Sequence, residues 1–441
     1  MARIVPFKGI LYNKDKVGEL ADVVAPPYDV ISEEKQHVLY DRHDTNVVRL
    51  ILGKMYEDDS PENSRHTRAA EFFTAWQAQG ILSRDDKPAL YLSSVSFHVE
   101  EKTVTRYGLI TQVMLETFDK GVILPHEQTF SKVKSERLGL MKICKANFSQ
   151  IFSIYSDQCG ILDALKHAVE GKKPAIDVVD DVGERHCLWK ITDAPVITWV
   201  QEQMNDKKLF IADGHHRYET ALTYRDFLKE TDPSFSDDHP ANAIMMYLTS
   251  MEDPGLIIFP THRLLNHVDP QSLSQLIEKA RVYFDVEEIP FADHFETSLE
   301  RFRKALKANQ DRTTLGVLIK NHKTFYVLSL KPGVMDEKFE GVIPATLRGL
   351  DVTVLTQLVL LDMLNLSQAA LDEEKLITYS ESDRHAAEAV IKGKCEVAFI
   401  LNSTKISQVQ DIAESGQTMP RKTTYFYPKA LTGLVFNTLK P

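Results

Sequence analysis

The 441-residue sequence is short of several things, and each shortage removes a class of function. It holds four cysteines, Cys144, Cys159, Cys187 and Cys395. None forms a Cys-x-x-Cys pair, and no histidine stands at zinc-finger spacing from them. Structural thiols in a reducing compartment are therefore expected, not a disulfide frame or a structural zinc. No apolar run reaches the ~18 residues of a membrane span, since Thr356, Gln357, Asp362 and Asn365 break the best candidate near 353–366. Residues Met1 to Lys8 lack the apolar core of a signal peptide, so the expected location is cytoplasmic, with no membrane partner. Positive charge is also scarce: 52 Lys and Arg face 63 Asp and Glu, for a net charge of −11. A duplex-binding surface needs clustered cations, so nucleic acid is not the expected partner. The Walker lysine loop, the Gly-x-Gly-x-x-Gly fingerprint and the His-Glu-x-x-His pair are all missing, which argues against the standard nucleotide and zincin sites.

What is present reads as an ordinary globular chain. Hydrophobic residues make up 43% and charged residues 26%, enough to bury a core without staples. At roughly 150 residues per domain the length suggests about three domains. No solenoid repeat or low-complexity stretch occurs. The run Asn46 to Leu52 is β-branched and short, which predicts a strand. Pro61 to Gly80 has helical spacing, and Ala89 to Val99 with Val104 to Leu115 predict a hairpin. Gly121 to Asn147 reads as a functional loop followed by a helix. Residues 160–207 read as helix, hairpin and helix. Lys208 to Ala212 then predicts a buried strand, and His216 to Lys229 a helix whose inner face carries Tyr218, Ala221, Leu222, Arg225 and Leu228. From Pro270 onward helices and strands alternate again. The fold class is mixed α/β (α+β). The expected segments are 1–265 as a catalytic core with insertions, 266–345 as an α/β middle domain, and 346–441 as an α/β C-terminal domain contributing a closing strand.

Chemistry concentrates in five places. In Ile211-Ala212-Asp213-Gly214-His215-His216-Arg217-Tyr218-Glu219-Thr220 a strand reaches a turn that opens a helix. Gly214 lets backbone approach a ligand, and the amides and dipole of the new helix favour an anion. Arg217 can grip phosphate oxygens with its fork. Asp213 suits either the helix N-cap or a Mg²⁺ ligand. The second place is His126-Glu127, followed by Lys132, Lys134 and Arg137, a carboxylate and an imidazole ahead of three cations. That pattern suits proton transfer beside a polyanion. The third is Thr261-His262-Arg263, at a strand end. The fourth is Pro26-Pro27-Tyr28-Asp29, where two prolines stiffen the segment that presents Tyr28 and Asp29. The fifth runs through Lys422, Tyr425 and Lys429, cations among aromatics that can close over an anion.

Taken together, these segments resemble the family first catalogued as domain of unknown function 1015. Ala25-Pro26-Pro27-Tyr28-Asp29, His126-Glu127-Gln128-Thr129, Asp213-Gly214-His215-His216-Arg217-Tyr218, Pro260-Thr261-His262-Arg263 and Tyr425-Phe426-Tyr427-Pro428-Lys429 follow its pattern in order. One departure is the loop after Thr129, where Ser131 stands for an expected proline and Glu136 for an expected aspartate. The Asp-Gly-His-His-Arg box is similar to the phosphate box of the ParB/sulfiredoxin-like superfamily, which implies a ParB/sulfiredoxin-like core. That superfamily includes free-serine kinases. The resemblance implies a phosphotransferase moving a phosphoryl group from pyrophosphate, or from a nucleotide, to free L-serine or a similar small hydroxy acid. Sulfiredoxins carry a catalytic cysteine where this chain has His215, so thiol chemistry is disfavoured.

On that reading Gly214, His215, Arg217, Lys132, Lys134, Arg137, Thr261, His262 and Arg263 bind phosphate, and Asp213 anchors Mg²⁺. Glu127 is the candidate base with Asp29 as substitute, and His216 completes the catalytic set. Tyr28, His126, Lys422, Tyr425 and Lys429 face the substrate. Two other classes remain open at this stage. One is a metal-dependent phosphohydrolase with Asp213, His215, His216 and His126 as ligands. The other is a nucleotide-sensing DNA-binding regulator.

Overall fold

The computed structural model describes residues 2–441 apart from 100, 128, 130 and 373–375, and only the backbone of 131, 132 and 372. The chain is mixed α/β and divides into two compact units. One comprises Met1–Ile257 together with Pro428–Pro441, the other Ile258–Tyr427.

The first unit is built on a nine-stranded sheet. Its strands are β1 (Ile4–Val5), β2 (Leu90–Val99), β3 (Lys102–Met114), β4 (Ile123–Leu124), β5 (Ile151–Tyr155), β6 (Ile176–Val179), β7 (Arg185–Ile191), β8 (Leu209–Asp213) and β9 (Ala243–Ser250). They lie in the order β4-β8-β5-β9-β3-β2-β7-β6, with β1 added on β3. The pairs β8–β4 and β9–β5 are parallel, whereas the others are antiparallel, so the sheet is mixed. β9 is buried along its whole length, as its Ile-Met-Met-Tyr-Leu run requires of a central strand. Leu109, Val113, Ile151, Leu209, Ile211 and Met246 of the sheet share a core with Leu162 and Leu165 of the helix Ile161–Ala168 and Val200 of the helix Ala194–Met204.

The strands predicted at 89–115 and the helices at 61–80 and 216–229 are found near those bounds. The strand predicted over 46–52 is not. Val48–Ile51 is one helical turn instead. Asn46 decides this locally: its carboxamide oxygen accepts the Val48 amide (2.9 Å), and its nitrogen donates to Asp22 O (2.7 Å) and Val24 O (3.2 Å). An Asx cap of this kind competes with strand pairing, and the apolar run buries itself as a turn.

The second unit holds an antiparallel six-stranded sheet of Phe284–Pro290, Thr324–Leu330, Thr314–Ile319, Val397–Leu401, His262–Leu265 and Ile377–Ser380, in that spatial order. Phe302, Phe325, Val327, Ala386, Ala398 and Ile400 form its core. The expected boundary at 345 falls inside this sheet, because strands from both sides of it pair with one another. The second unit starts at Ile258.

The last fourteen residues return to the first unit. Asn437–Thr438 pairs antiparallel with Ala146–Asn147, and Phe436 packs against Tyr12, Phe73 and Phe148. The front of this strap is held by Arg106. That side chain is fully buried, stacks over Phe152 and Tyr247, and donates to Pro428 O at 2.7 Å and to Tyr247 Oη at 3.1 Å. Gly108, on the neighbouring strand, leaves room for the Tyr247 ring, which any Cβ there would overlap. Gly108→Ala is therefore expected to destabilise the protein by about 1–3 kcal/mol through overpacking. Urea-unfolding midpoints at constant slope would measure this, and an unchanged midpoint would mean that the ring has space to yield.

Candidate functional site

The box predicted to bind an anion sits where β8 meets the helix His215–Thr231. The pairing of β8 with β5 slips between Ile211 and Asp213, a bulge that re-aims the strand's last side chain. Gly214 follows in a left-handed conformation (φ 96°, ψ 27°), which only glycine adopts without strain. It occupies the N-cap position, so the helix begins at His215 and Asp213 is not its cap. A Cβ on Gly214 would lie 3.0 Å from the Arg217 guanidinium, which shows how closely that side chain folds back.

Asp213 therefore meets two cations. Arg217 Nη2 donates to its Oδ2 at 2.6 Å and Lys429 Nζ to its Oδ1 at 2.7 Å. Burial alone would raise the pKa of this carboxyl, but Lys429 and Arg217 outweigh it and hold the group well below the usual carboxylate range. Asp29 behaves in the opposite way. Burial and the negative charge of Asp213 raise its pKa, against the pull of Arg217 and Lys429. The two carboxylates thus titrate apart, a pattern that separates proton-accepting from charge-bearing roles. The pKa of Tyr28, beside Asp29, is raised by burial, and the Arg137 guanidinium stacks 4.0 Å from its ring centre.

The two histidines come together as well. The His126 amide donates to His215 Nε2 at 3.3 Å, and their rings meet edge to face at 4.8 Å. Because Nε2 accepts, the proton of neutral His215 resides on Nδ1, which faces Glu127 Oε2 at 3.9 Å, too far for a direct hydrogen bond. Glu127 is 36% exposed and lies at the rim. Burial lowers His126 to about 4 and holds His215 well below its ordinary value, with His126 and His216 adding positive-charge repulsion at His215. Both rings are neutral at pH 7.

The loop cations are otherwise engaged. Lys134 Nζ donates to Glu219 Oε2 at 2.6 Å, and Thr129 Oγ1 to Glu219 Oε1 at 2.8 Å. Arg137 pairs with Glu136 and donates to Ile51 O at 2.8 Å, while Glu136 also takes Arg65 (2.9 Å) and His66 (3.0 Å). The side chain of Lys132, and the whole of Gln128, lie outside the described residues.

Thr261, His262, Arg263, Lys422 and Tyr425 belong to the second unit. There His262 Nδ1 accepts the Leu401 amide (3.1 Å), and Arg263 donates to the carbonyls of Thr261 and Lys422. Burial pushes the Arg263 pKa down to about 10 and that of His262 to about 4. Tyr425 stacks on Tyr427 at 6.3 Å.

Three residues of the first unit received no role from the sequence: Gln150, which lies outside every segment singled out, and Glu219 and Thr220, which lie inside the Asp213 box. Gln150 accepts Arg217 Nη1 through its carbonyl, and Glu219 holds Lys134 and Thr129. Thr220 stands three residues after Arg217 on the same helical face, a spacing that could have flagged it. The hydrolase ligand set is not assembled. Among the described residues the one group of three ligating side chains within 4.8 Å of one another is Asp180, Glu184 and His186, and it includes none of Asp213, His215, His216 and His126. Among the described residues no helix is long and apolar enough to cross a membrane.

The chain belongs to the family described as "Protein of unknown function (DUF1015)", whose profile matches residues 4–353. Four of the five segments fall within that stretch, and the segment at Tyr425 to Lys429 lies beyond it. No curated protein matches the sequence. Among solved structures, a mutant free serine kinase in complex with ADP is 12% identical, with 72% of this chain and 87% of that chain covered and a TM-score of 0.33. A conserved hypothetical protein from Pyrococcus furiosus is 12% identical, with 75% and 95% covered and a TM-score of 0.34. SbnI from Staphylococcus aureus, truncated at its C-terminus, is 9% identical, with 73% and 85% covered and a TM-score of 0.35.

The buried imidazoles carry a pH signature. Each binds its proton less readily folded than unfolded, so the unfolded state takes up more protons as pH falls below 6.5. Stability is full above that value and is lost through the window from 6.5 down to about 4. His126 alone accounts for roughly 2 kcal/mol between pH 7 and pH 5. Tm should fall across that interval, and His126→Gln should flatten the slope. A Tm profile identical in both proteins would show that His126 stays solvated.

Proposed function

We propose that the protein is a Mg²⁺-dependent phosphotransferase that moves a phosphoryl group from pyrophosphate, or from a nucleotide, to the hydroxyl of free L-serine or a similar small hydroxy acid. The observation that carries this reading is the largely buried group of Asp213, Arg217 and Lys429 at the start of the helix His215–Thr231, with the more exposed Asp29 near enough for its pKa to respond to their charges. Phosphoryl transfer asks the protein mainly for positioning and charge neutralisation. Arg217 and Lys429 supply the cations, and the first amides and the dipole of the helix add to them. Neutral His215 and His126 add polar groups without further charge.

The charge of Asp213 contributes to the raised pKa of Asp29. Mg²⁺ takes one or two carboxylates plus substrate phosphates, so Asp213 is the residue that would hold the ion. When bound, Mg²⁺ would neutralise phosphate oxygens of the donor. Lys134 and Arg137 reach a phosphate only by giving up Glu219 and Glu136, so Arg217 and Lys429 come first in this reading.

Asp29 is the preferred proton acceptor for the serine hydroxyl, since a raised carboxyl pKa makes a better general base. Glu127, at the rim, is the second candidate. ³¹P NMR of the protein with Mg²⁺, L-serine and, separately, pyrophosphate, ATP or ADP is expected to show phosphoserine with one donor. Orthophosphate formed equally without serine would instead mean hydrolysis. Asp29→Asn should cut turnover at least ~100-fold, as loss of a general base does, while Glu127→Gln should do less. The reverse ranking would give the role to Glu127. In kcat/KM against pH, the acid limb should lie above the ordinary Asp value of about 4.

A further inference from the structure

Arg217 has a second neighbour besides Asp213. It lines a cavity of about 50 Å³ within the first unit, together with Tyr28, Arg137, Asn147, Phe148 and Thr220. Three of its lining residues each carry one buried polar atom with no hydrogen-bond partner among the described residues: Arg217 Nε, Asn147 Nδ2 and Thr220 Oγ1. A buried donor left unmade costs about 1–3 kcal/mol, so three around one small space point to a missing partner.

The geometry of each supports this. The other Arg217 nitrogens are committed, Nη2 to Asp213 and Nη1 to the Gln150 carbonyl, which leaves Nε. Asn437 Nδ2 donates to Asn147 Oδ1 at 3.1 Å, and Nδ2 of Asn147 is left over. In the helix His215–Thr231, Thr223 and Thr231 bond back to the carbonyls of Glu219 (2.9 Å) and Phe227 (2.7 Å). That back-bond is the habit of helical threonine, yet the Thr220 hydroxyl, 1% exposed, does not make it.

All three atoms can donate, which suits an acceptor group of negative charge. Phe148, Leu140, Met141 and Ile244 give the same cavity an apolar side. Since one water needs ~10–15 Å³, the space takes roughly three to five water-sized groups, the size of a carboxylate and a short carbon stem.

We propose that Arg217 Nε, Asn147 Nδ2 and Thr220 Oγ1 hold the carboxylate of the small hydroxy acid that accepts the phosphoryl group. The inference rests on the phosphotransferase reading for the identity of its ligand, but it concerns binding alone. One guanidinium then serves two ends of the reaction, with Nη2 on the Asp213 cluster and Nε on the acceptor.

Isothermal titration of the full chain tests it, with and without imidodiphosphate, a pyrophosphate analogue that does not transfer. The probes are L-serine, L-lactate and L-serinamide, of which the last lacks the carboxylate. L-Serine is expected to bind, and L-serinamide at least about tenfold more weakly, as loss of a charge-assisted hydrogen bond implies. Thr220→Val removes an unmade hydroxyl at constant shape, so Tm should hold or rise while L-serine affinity falls at least about tenfold. Asn147→Asp keeps the oxygen that receives Asn437 and turns the spare donor into a negative acceptor, so it should weaken L-serine further. Equal affinity for L-serine and L-serinamide, wild-type affinity in both variants, or no binding of either carboxylate probe would each overturn the proposal. Binding of L-lactate but not L-serine would keep the carboxylate site and remove serine as acceptor. Phosphoserine formed at wild-type KM by both variants would keep the phosphotransferase and remove the site.

Discussion

The buried carboxylate of Asp213 is the constraint from which the rest of the first unit follows. An isolated charge at that depth is prohibitively costly, and it persists only because Arg217 and Lys429 each take one of its oxygens. The demand for two cations explains features that otherwise look unrelated. The bulge before Asp213 aims the carboxylate, left-handed Gly214 lets Arg217 fold back on it, and the C-terminal strap delivers Lys429 across 216 residues of sequence. The strap in turn needs its own anchors. Arg106, Tyr247 and the Asn437–Asn147 pairing are therefore part of the site's support although none of them touches Asp213 in the contacts described above.

Charge around Asp213 is balanced but not uniform. Two carboxylates, Asp213 and Asp29, share two cations, and the division is unequal: Asp213 is held ionised while the pKa of Asp29 rises. The imidazoles of His126 and His215 are kept neutral by burial, with Lys429 adding to the effect. A protein that merely needed to satisfy Asp213 would gain nothing from surrounding it with titratable groups. Groups whose proton affinities are pushed apart within one cluster are a frequent mark of a site where charge or protons move.

How much of this was legible in the sequence depended on the range of the interaction. The strand, turn and helix of 208–231 could be read because each signal is local: an apolar strand, Asp-Gly, then a helical face. Lys429 was legible only through a motif, since nothing near Tyr425 to Lys429 names Asp213 as a partner. The loop after Thr129 misled by its charge. Lys134 and Arg137 look poised for a polyanion, yet Glu219 and Glu136, one of them on another helix, absorb them. The turn at Val48–Ile51 was read as a strand because β-branched content outvoted one asparagine whose side chain satisfies three backbone groups. The boundary at 345 was unreadable for a different reason. Sheet pairing between 314–319 and 397–401 leaves no composition change at the point where the chain crosses from one strand to the other.

Arg217 makes clear why some residue types in this site have no substitute. Its planar fork presents three nitrogens in fixed directions: Nη2 meets Asp213, Nη1 meets the Gln150 carbonyl, and Nε is left without a partner in a residue that lines the cavity with Asn147 and Thr220. A lysine at 217 could satisfy Asp213 alone, because a single ammonium on a flexible stem cannot hold three directions at once. The same rigidity links the two sides of the site. Any ligand that draws Nε toward itself rotates the plane that carries Nη2, so the hydrogen bond to Asp213 and the grip on a ligand in the cavity are set together. Lys429 meets the same carboxylate with a single ammonium on a flexible stem. The pairing of one rigid and one adaptable cation on a single buried carboxylate is thus a physical reason for the chain to bring its last residues back to the first unit.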